Sequence, residues 1–162
     1  MLFNEVVFMS IIHNRIKELG IELPQPSKPK FSYVPINRTG NLLYLSGLDC
    51  RKNGELIYEG KLGKDLTVEQ GQEAARQVII NSLGVLNDYL GDLDRISKIV
   101  KLLGFVNSAD GFVEQPYVMN GASDLLEKVF GEKGKHARSA IGVNELPFNT
   151  PVEIEMIVEI NS

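Results

Sequence analysis

From Val152 to Ile160 apolar and polar residues alternate with a period of two. Val152, Ile154, Met156, Val158 and Ile160 share one face, and Glu153, Glu155, Ile157 and Glu159 share the other. This is the pattern of a strand with one face in a core and a mostly acidic opposite face. Ala137 to Val143 alternates in the same way, grouping Ser139, Ile141 and Val143 and leaving Arg138 and Ala140 on the less apolar side. If both strands lie in one sheet, Arg138 and Glu153 are expected to look out of the same side. The connection between them contains Pro147 and Pro151 and is too long for a two-residue turn, so the strands need not be neighbours.

Earlier in the chain, Ile11, Ile12, Ile16 and Leu19 recur at helical spacing over Ser10 to Leu19, and Gly20 can end that helix in a left-handed cap. Pro24, Pro26 and Pro29 then force an extended linker. Phe31 to Ile36 reads as a first strand, Arg38 to Asn41 as a turn, and Leu42 to Ser46 as a well-buried second strand. Asn53-Gly54 marks another tight turn, with Glu55 to Tyr58 as a short third strand.

From Thr67 the period changes. Ala74, Ala75, Val78, Ile79, Ser82, Val85, Leu86 and Tyr89 describe a long amphipathic helix, opened by a capping box of Thr67 and Gln70. Ile96 to Val106 reads as a strand whose Lys98 and Lys101 reach water, closed by Ser108 to Gly111. Tyr117 to Phe130 is a second long helix stopped by Gly131, with Ser123 and Asp124 read as caps after Gly121. After the leading helix the order is β-β-β-α-β-α-β-β. The economical architecture is α+β: one mixed sheet with both long helices on a single face. The other, half-polar face suits subunit packing with a pocket at the seam.

Composition narrows the function classes. With 162 residues, 43% hydrophobic and 23% charged, the chain is expected to form one domain over 10–162, with 1–9 as an N-terminal extension. A net charge of -4, from 17 Lys+Arg against 21 Asp+Glu, argues against a wide basic footprint for nucleic acid. Cys50 stands alone and no Cys pairs with His at metal-ligand spacing, so a reducing, cytoplasmic setting without a structural metal is expected. The opening MLFNEVVFMSII is broken by Asn4 and Glu5 and lacks a basic start, so it reads as neither signal peptide nor membrane span. Met9 before Ser10 offers an alternative beginning.

Arg138 and Glu153 carry the candidate chemistry. A guanidinium can grip a carboxylate by two parallel hydrogen bonds, and a carboxylate can steer a water or stabilise a cation, so a small acid with a nitrogen-bearing carbon would satisfy both. A plain surface ion pair between Arg138 and a glutamate is the alternative. His136, two residues before Arg138, fits a hydrogen-bonded or pocket-rim position, with a proton shuttle as the sharper reading.

The segment HARSAIGVNELPFNTPVEIE, His136 to Glu155, resembles the closing motif of the RidA family, also called YjgF: A-R-S, then L-P, then V-E-I-E. The likeness extends to Gly40-Asn41, to Ser46-Gly47 and to the long helix that follows, and covers about Phe31 to Ile160. Asn120 to Leu126 and Gly131 to Arg138 look like a longer-chain branch of that family. The resemblance implies a chorismate-mutase-like fold, a homotrimer with sites in the clefts between subunits, and no cofactor or metal. It implies deamination of 2-enamine and 2-imine acids, of the 2-aminoacrylate and 2-iminopropanoate type, to a 2-keto acid and ammonium.

By the same resemblance Arg138 holds the substrate carboxylate, Glu153 is associated with the attacking water, and Tyr33 and Asn120 lie near substrate-binding positions. Ala140 stands where many members have cysteine, so its backbone can contact substrate but no thiol acts there. Two further classes stay open: a metabolite-binding regulatory trimer that uses the same arginine, and an RNA-cleaving translation inhibitor. Net acidity and the lack of a basic aromatic platform weaken the last.

Overall fold

The alternation over Val152–Ile160 belongs to the middle strand of a five-stranded sheet. The computed structural model describes residues 10–162; the extension expected over 1–9 lies outside them. The sheet contains β1 (Ile36–Thr39), β2 (Leu42–Leu48), β5 (Ile96–Asn107), β6 (Ala137–Val143) and β7 (Val152–Ile160), in the order β1-β2-β7-β5-β6. Only β5 and β6 run parallel, so the sheet is mixed. Two strands of two residues each, β3 (Arg51–Lys52) and β4 (Glu55–Leu56), form a separate ladder around the Asn53-Gly54 turn. The expected third strand over 55–58 is therefore outside the main sheet and ends at Leu56.

The first strand also starts later than its apolar run suggests. Pro35 has no N–H to donate, and Phe31, Tyr33 and Val34 are exposed. Pairing begins at Ile36, opposite Leu45, and Arg38 and Thr39 belong to the strand rather than to the turn. Gly40, with φ of 54°, takes the left-handed conformation that the two-residue connection needs.

Two helices cover one face, α2 (Val68–Leu90) and α3 (Gln115–Phe130), and a shorter one, α1 (Ile11–Glu18), packs against α3. The Thr67–Gln70 capping box is present, and Gly91 closes α2 in a left-handed cap. Pro116 in the first turn sets the start of α3, which puts Ser123 and Asp124 in mid-helix instead of at a cap. Gly121 is where α3 meets α2: a Cβ there would run into the Gln72 carbonyl oxygen. Between helices and sheet lies the core, including Leu43, Ile79, Leu83, Leu86, Ile99, Leu102, Met119, Leu126 and Ile154.

The helix α1 is docked by a carboxylate far along the chain. Asp94 accepts from the Ser10 hydroxyl and from the Ile11 and Ile12 N–H groups, which have no partner within the helix. Burial alone would raise the Asp94 carboxyl, but these three bonds and the nearby His13 hold it below its ordinary range. Ile12 and Ile16 join the core, and Arg15 donates to the Val129 carbonyl at the end of α3. Among the described residues no helix is long and apolar enough to cross a membrane.

Candidate functional site

Strand register decides where the candidate side chains point. Arg138 pairs with Leu102, and Leu102 pairs with Met156, both in the core. Arg138 therefore points to the helix-covered face, as does Ala140, which is aligned with Gly104 and Ile154. Glu153 pairs with Phe105 and lies on the opposite, open face with Glu155 and Ile157 one and two residue pairs further along. The expectation that Arg138 and Glu153 share a side is thus overturned. The reason is that β6 is an edge strand over the polar end of α3, so its helix-facing side is not its apolar side. Two strand steps and three residues along separate the pair, roughly 14 Å between backbones with side chains on opposite faces.

Around Arg138, α3 supplies a stripe of polar acceptors one and two turns apart. The Arg138 Nη1 donates to Asn120 Oδ1 at 3.0 Å and to Ser123 Oγ at 3.1 Å, and Nη2 donates to the Pro116 carbonyl at 3.3 Å. Positions 116, 120 and 123 fall on one helical face. No carboxylate pairs with Arg138 among the described residues, which removes the plain surface ion pair. Nε–H and one N–H of Nη2 keep no partner among the described residues. Asn120 is thus brought to Arg138, and Ala140 lies two residues beyond Arg138 on the same face.

Behind Ser123 stands His136, half-buried, with Nε2 2.9 Å from Ser123 Oγ and Nδ1 2.6 Å from the Gly134 carbonyl. Burial, with the positive charge of Arg138, holds its pKa below the ordinary histidine value against the opposing bond to Gly134. His136 is hydrogen-bonded rather than free at a rim. Ser123 is the residue that sequence reasoning misplaced. Its signal was the spacing of Pro116, Asn120 and Ser123 on one helical face.

Glu153 has a different surrounding. Gly47 in β2 leaves the room its side chain occupies, since a Cβ there would lie 3.0 Å from the Glu153 carboxyl carbon. Burial first, then the charges of Glu155 and Asp49, raise the Glu153 carboxyl above its ordinary pKa. A carboxylate crowded by others, with no cation paired to it among the described residues, is poised to accept a proton or to stabilise a positive centre. Tyr33 is exposed and stands two residues before Pro35, whose carbonyl accepts from Ser46 N. It lies at the β1 edge, four strand steps or roughly 19 Å from β6, so one chain does not join it to Arg138.

The candidate residues therefore divide: Arg138, Asn120 and Ala140 form one half at the β6 edge, Glu153 forms the other on the open face of β7, and Tyr33 stands before β1. Two surface depressions do not reunite them. One of about 350 Å³ lies between α2 and α3 beside Glu73, Arg76 and Asp124, and one of about 230 Å³ lies on the open sheet face beside Tyr44, Leu103 and Ile157. Neither includes Arg138 or Glu153. Among the described residues no cluster of His, Cys, Asp and Glu could hold a metal.

Residues 13–160 match the family model described as "YjgF/chorismate mutase-like, putative endoribonuclease". Protein TCP17 of Trypanosoma cruzi is 43% identical over 158 residues, covering 97% of this chain and 99% of that one. The crystal structure of Atu1372, a protein of unknown function from Agrobacterium tumefaciens, superposes with a TM-score of 0.87 at 45% identity, covering 94% of this chain and 93% of that chain. A "putative endoribonuclease" from Shewanella oneidensis superposes with a TM-score of 0.89 at 34% identity, covering 92% and 99%. A match this long, carried by the closing motif and by the mixed sheet under its helices, makes the chain a member of the YjgF/chorismate-mutase-like, or RidA, family.

Proposed function

We propose that the chain hydrolyses 2-imino and 2-enamino acids to 2-keto acids and ammonium, in sites completed between copies of a homotrimer. One observation carries the reading: Arg138 is tied to α3 through neutral acceptors, has no carboxylate partner among the described residues, and keeps Nε–H and an Nη2–H free. A guanidinium so held is pre-organised for a small carboxylate. The carbon bearing nitrogen would then meet Glu153 of a second copy, whose raised pKa makes it a better proton acceptor than an ordinary carboxylate.

In the proposed reaction the enamine tautomer first takes a proton at carbon from the Glu153 carboxyl, and the carboxylate left behind stabilises the iminium. Water adds to the C=N carbon as Glu153 takes one of its protons. That proton passes to nitrogen, the C–N bond breaks with its electron pair leaving on ammonia, and the hydroxyl proton is released as C=O forms. Asn120 holds Arg138, Ala140 leaves space and a backbone contact beside it, and Tyr33 lines the Glu153 half. No cofactor enters any step. The buried lone Cys50 fits a reducing, cytoplasmic setting.

The relatives' description as endoribonucleases favours RNA cleavage as a second reading. The open face weakens it, because Glu153, Glu155 and Glu159 line that face, and the net charge is -4. The test is keto-acid release from imines generated in place by an amino-acid oxidase. Wild type should accelerate release. Arg138→Ala, which loses two charge-assisted bonds, should lower kcat/KM by about 10²-fold, and Glu153→Ala should lower turnover more than keto-acid binding. Equal release with and without the protein would sink the deaminase reading and leave a binding module.

A further inference from the structure

Behind the Arg138 guanidinium runs a chain of hydrogen bonds that the proposed reaction does not use. The Gly134 carbonyl can only accept, so His136 Nδ1 carries the proton that reaches it at 2.6 Å. A neutral ring then has a lone pair on Nε2, and Ser123 Oγ, 2.9 Å away, must donate to it. With its proton committed, the Ser123 oxygen presents its lone pairs to Arg138 Nη1 at 3.1 Å, while Asn120 Oδ1 takes the other Nη1 proton at 3.0 Å.

We propose that Ser123 and His136 are positioning residues for Arg138: the neutral imidazole fixes the direction of the Ser123 hydroxyl, and that hydroxyl fixes the guanidinium so that its free Nε and Nη2 protons meet a substrate carboxylate. The inference rests on Arg138 being the carboxylate holder and adds how it is aimed. Neither residue touches substrate. The linkage runs in both directions. Protonating His136 would set a second donor against Ser123 Oγ and a second cation beside Arg138, consistent with its lowered pKa.

The charged groups around the ring are few. Arg138 faces it from β6. Lys135, next in the chain, is paired with Glu132 at 2.6 Å and lies 4.0 Å from Glu127, and Asp124 on α3 is exposed to solvent. A carboxylate bound on Arg138 offsets the charge that disfavours imidazolium, so binding raises the His136 pKa.

The experiment is nitrogen-15 NMR on the full chain, with and without 2-oxobutanoate. In wild type, His136 should appear as the Nδ1–H tautomer, the Arg138 Nη1 protons held by Asn120 and Ser123 should exchange slowly, and added 2-oxobutanoate should raise the His136 pKa. Ser123→Ala and His136→Ala should each speed exchange of the Arg138 Nη1 protons and weaken 2-oxobutanoate binding by about 5- to 10-fold, the loss of one ordinary hydrogen bond. His136→Gln, whose carbonyl can accept from Ser123, should stay within about twofold of wild type by the same reasoning. His136→Ala lies outside α3, so it serves if Ser123→Ala fails to fold. Unchanged Nη1–H exchange in the alanine variants overturns the proposal, whether or not the ligand binds. Slow exchange lost on these substitutions, with no 2-oxobutanoate binding by wild type, supports the positioning and overturns the carboxylate reading instead.

Discussion

At the scale of single residues, the raised pKa of Glu153 makes a statement about stability as well as chemistry. Burial, Glu155 and Asp49 all disfavour its ionised form, so the folded chain holds this proton to higher pH than the unfolded one. Between the ordinary carboxylate value of 4.5 and the raised folded value, the native state binds more protons, and stability must fall as pH rises through that window. Glu153→Gln removes the charge and keeps the shape. It should therefore melt higher than wild type at pH 7, with the gap closing below pH 4.5; a lower melting temperature at pH 7 would mean that Glu153 has a stabilising partner. Both Arg138 and Glu153 were legible in the sequence through the closing motif, but their relative direction was not. Parity along Ala137–Val143 is ambiguous because an edge strand buries little: Ile141 is 43% exposed, and the side that meets α3 meets Asn120 and Ser123 rather than apolar groups.

At the scale of elements, the helices and β7 were readable because their periods are clean, whereas β5 hides its own. Ile96, Ile99 and Leu102 are three residues apart and yet all buried. Two register shifts against β7, between Ile96 and Lys98 and between Ile99 and Lys101, insert the extra residue each time. The start of β1 was misjudged because a run of apolar side chains weighs less than one missing N–H at Pro35. Gly121, read as the start of a helix, is instead the point of closest approach between α2 and α3. Gly121→Ala places a methyl against the Gln72 carbonyl, where the neighbour is backbone and cannot rotate aside. It should destabilise the fold by about 1–3 kcal/mol despite the better helix propensity of alanine. Denaturant unfolding measures this, and an unchanged midpoint would show that the helices can separate without penalty. Because α3 carries Asn120 and Ser123, the same substitution should also lower affinity for a keto acid.

At the scale of the whole molecule, the proposed reaction requires more than one chain. Arg138 at the β6 edge and Glu153 on the open face are roughly 14 Å apart and point away from each other, beyond the span of a three- or four-carbon acid. A second copy that sets its β1 and β2 side against the first copy's β6 edge would bring the halves together and also cover an unpaired strand edge. Arg138→Ala and Glu153→Ala chains should each assemble into inert homotrimers. When the two are unfolded together in equal amounts and refolded, an interface is whole only where the Glu153→Ala chain supplies arginine and the Arg138→Ala chain supplies glutamate. Random assembly makes that about one interface in four, so deaminase activity should return to about a quarter of wild type per site. If both residues of a site came from one copy, every site in the mixture would lack one of them and activity would stay at the background rate. Sedimentation of the mixture, run beside the assay, separates that outcome from a failure to assemble: trimers without activity would refute the divided site, and monomers would refute the assembly on which it depends.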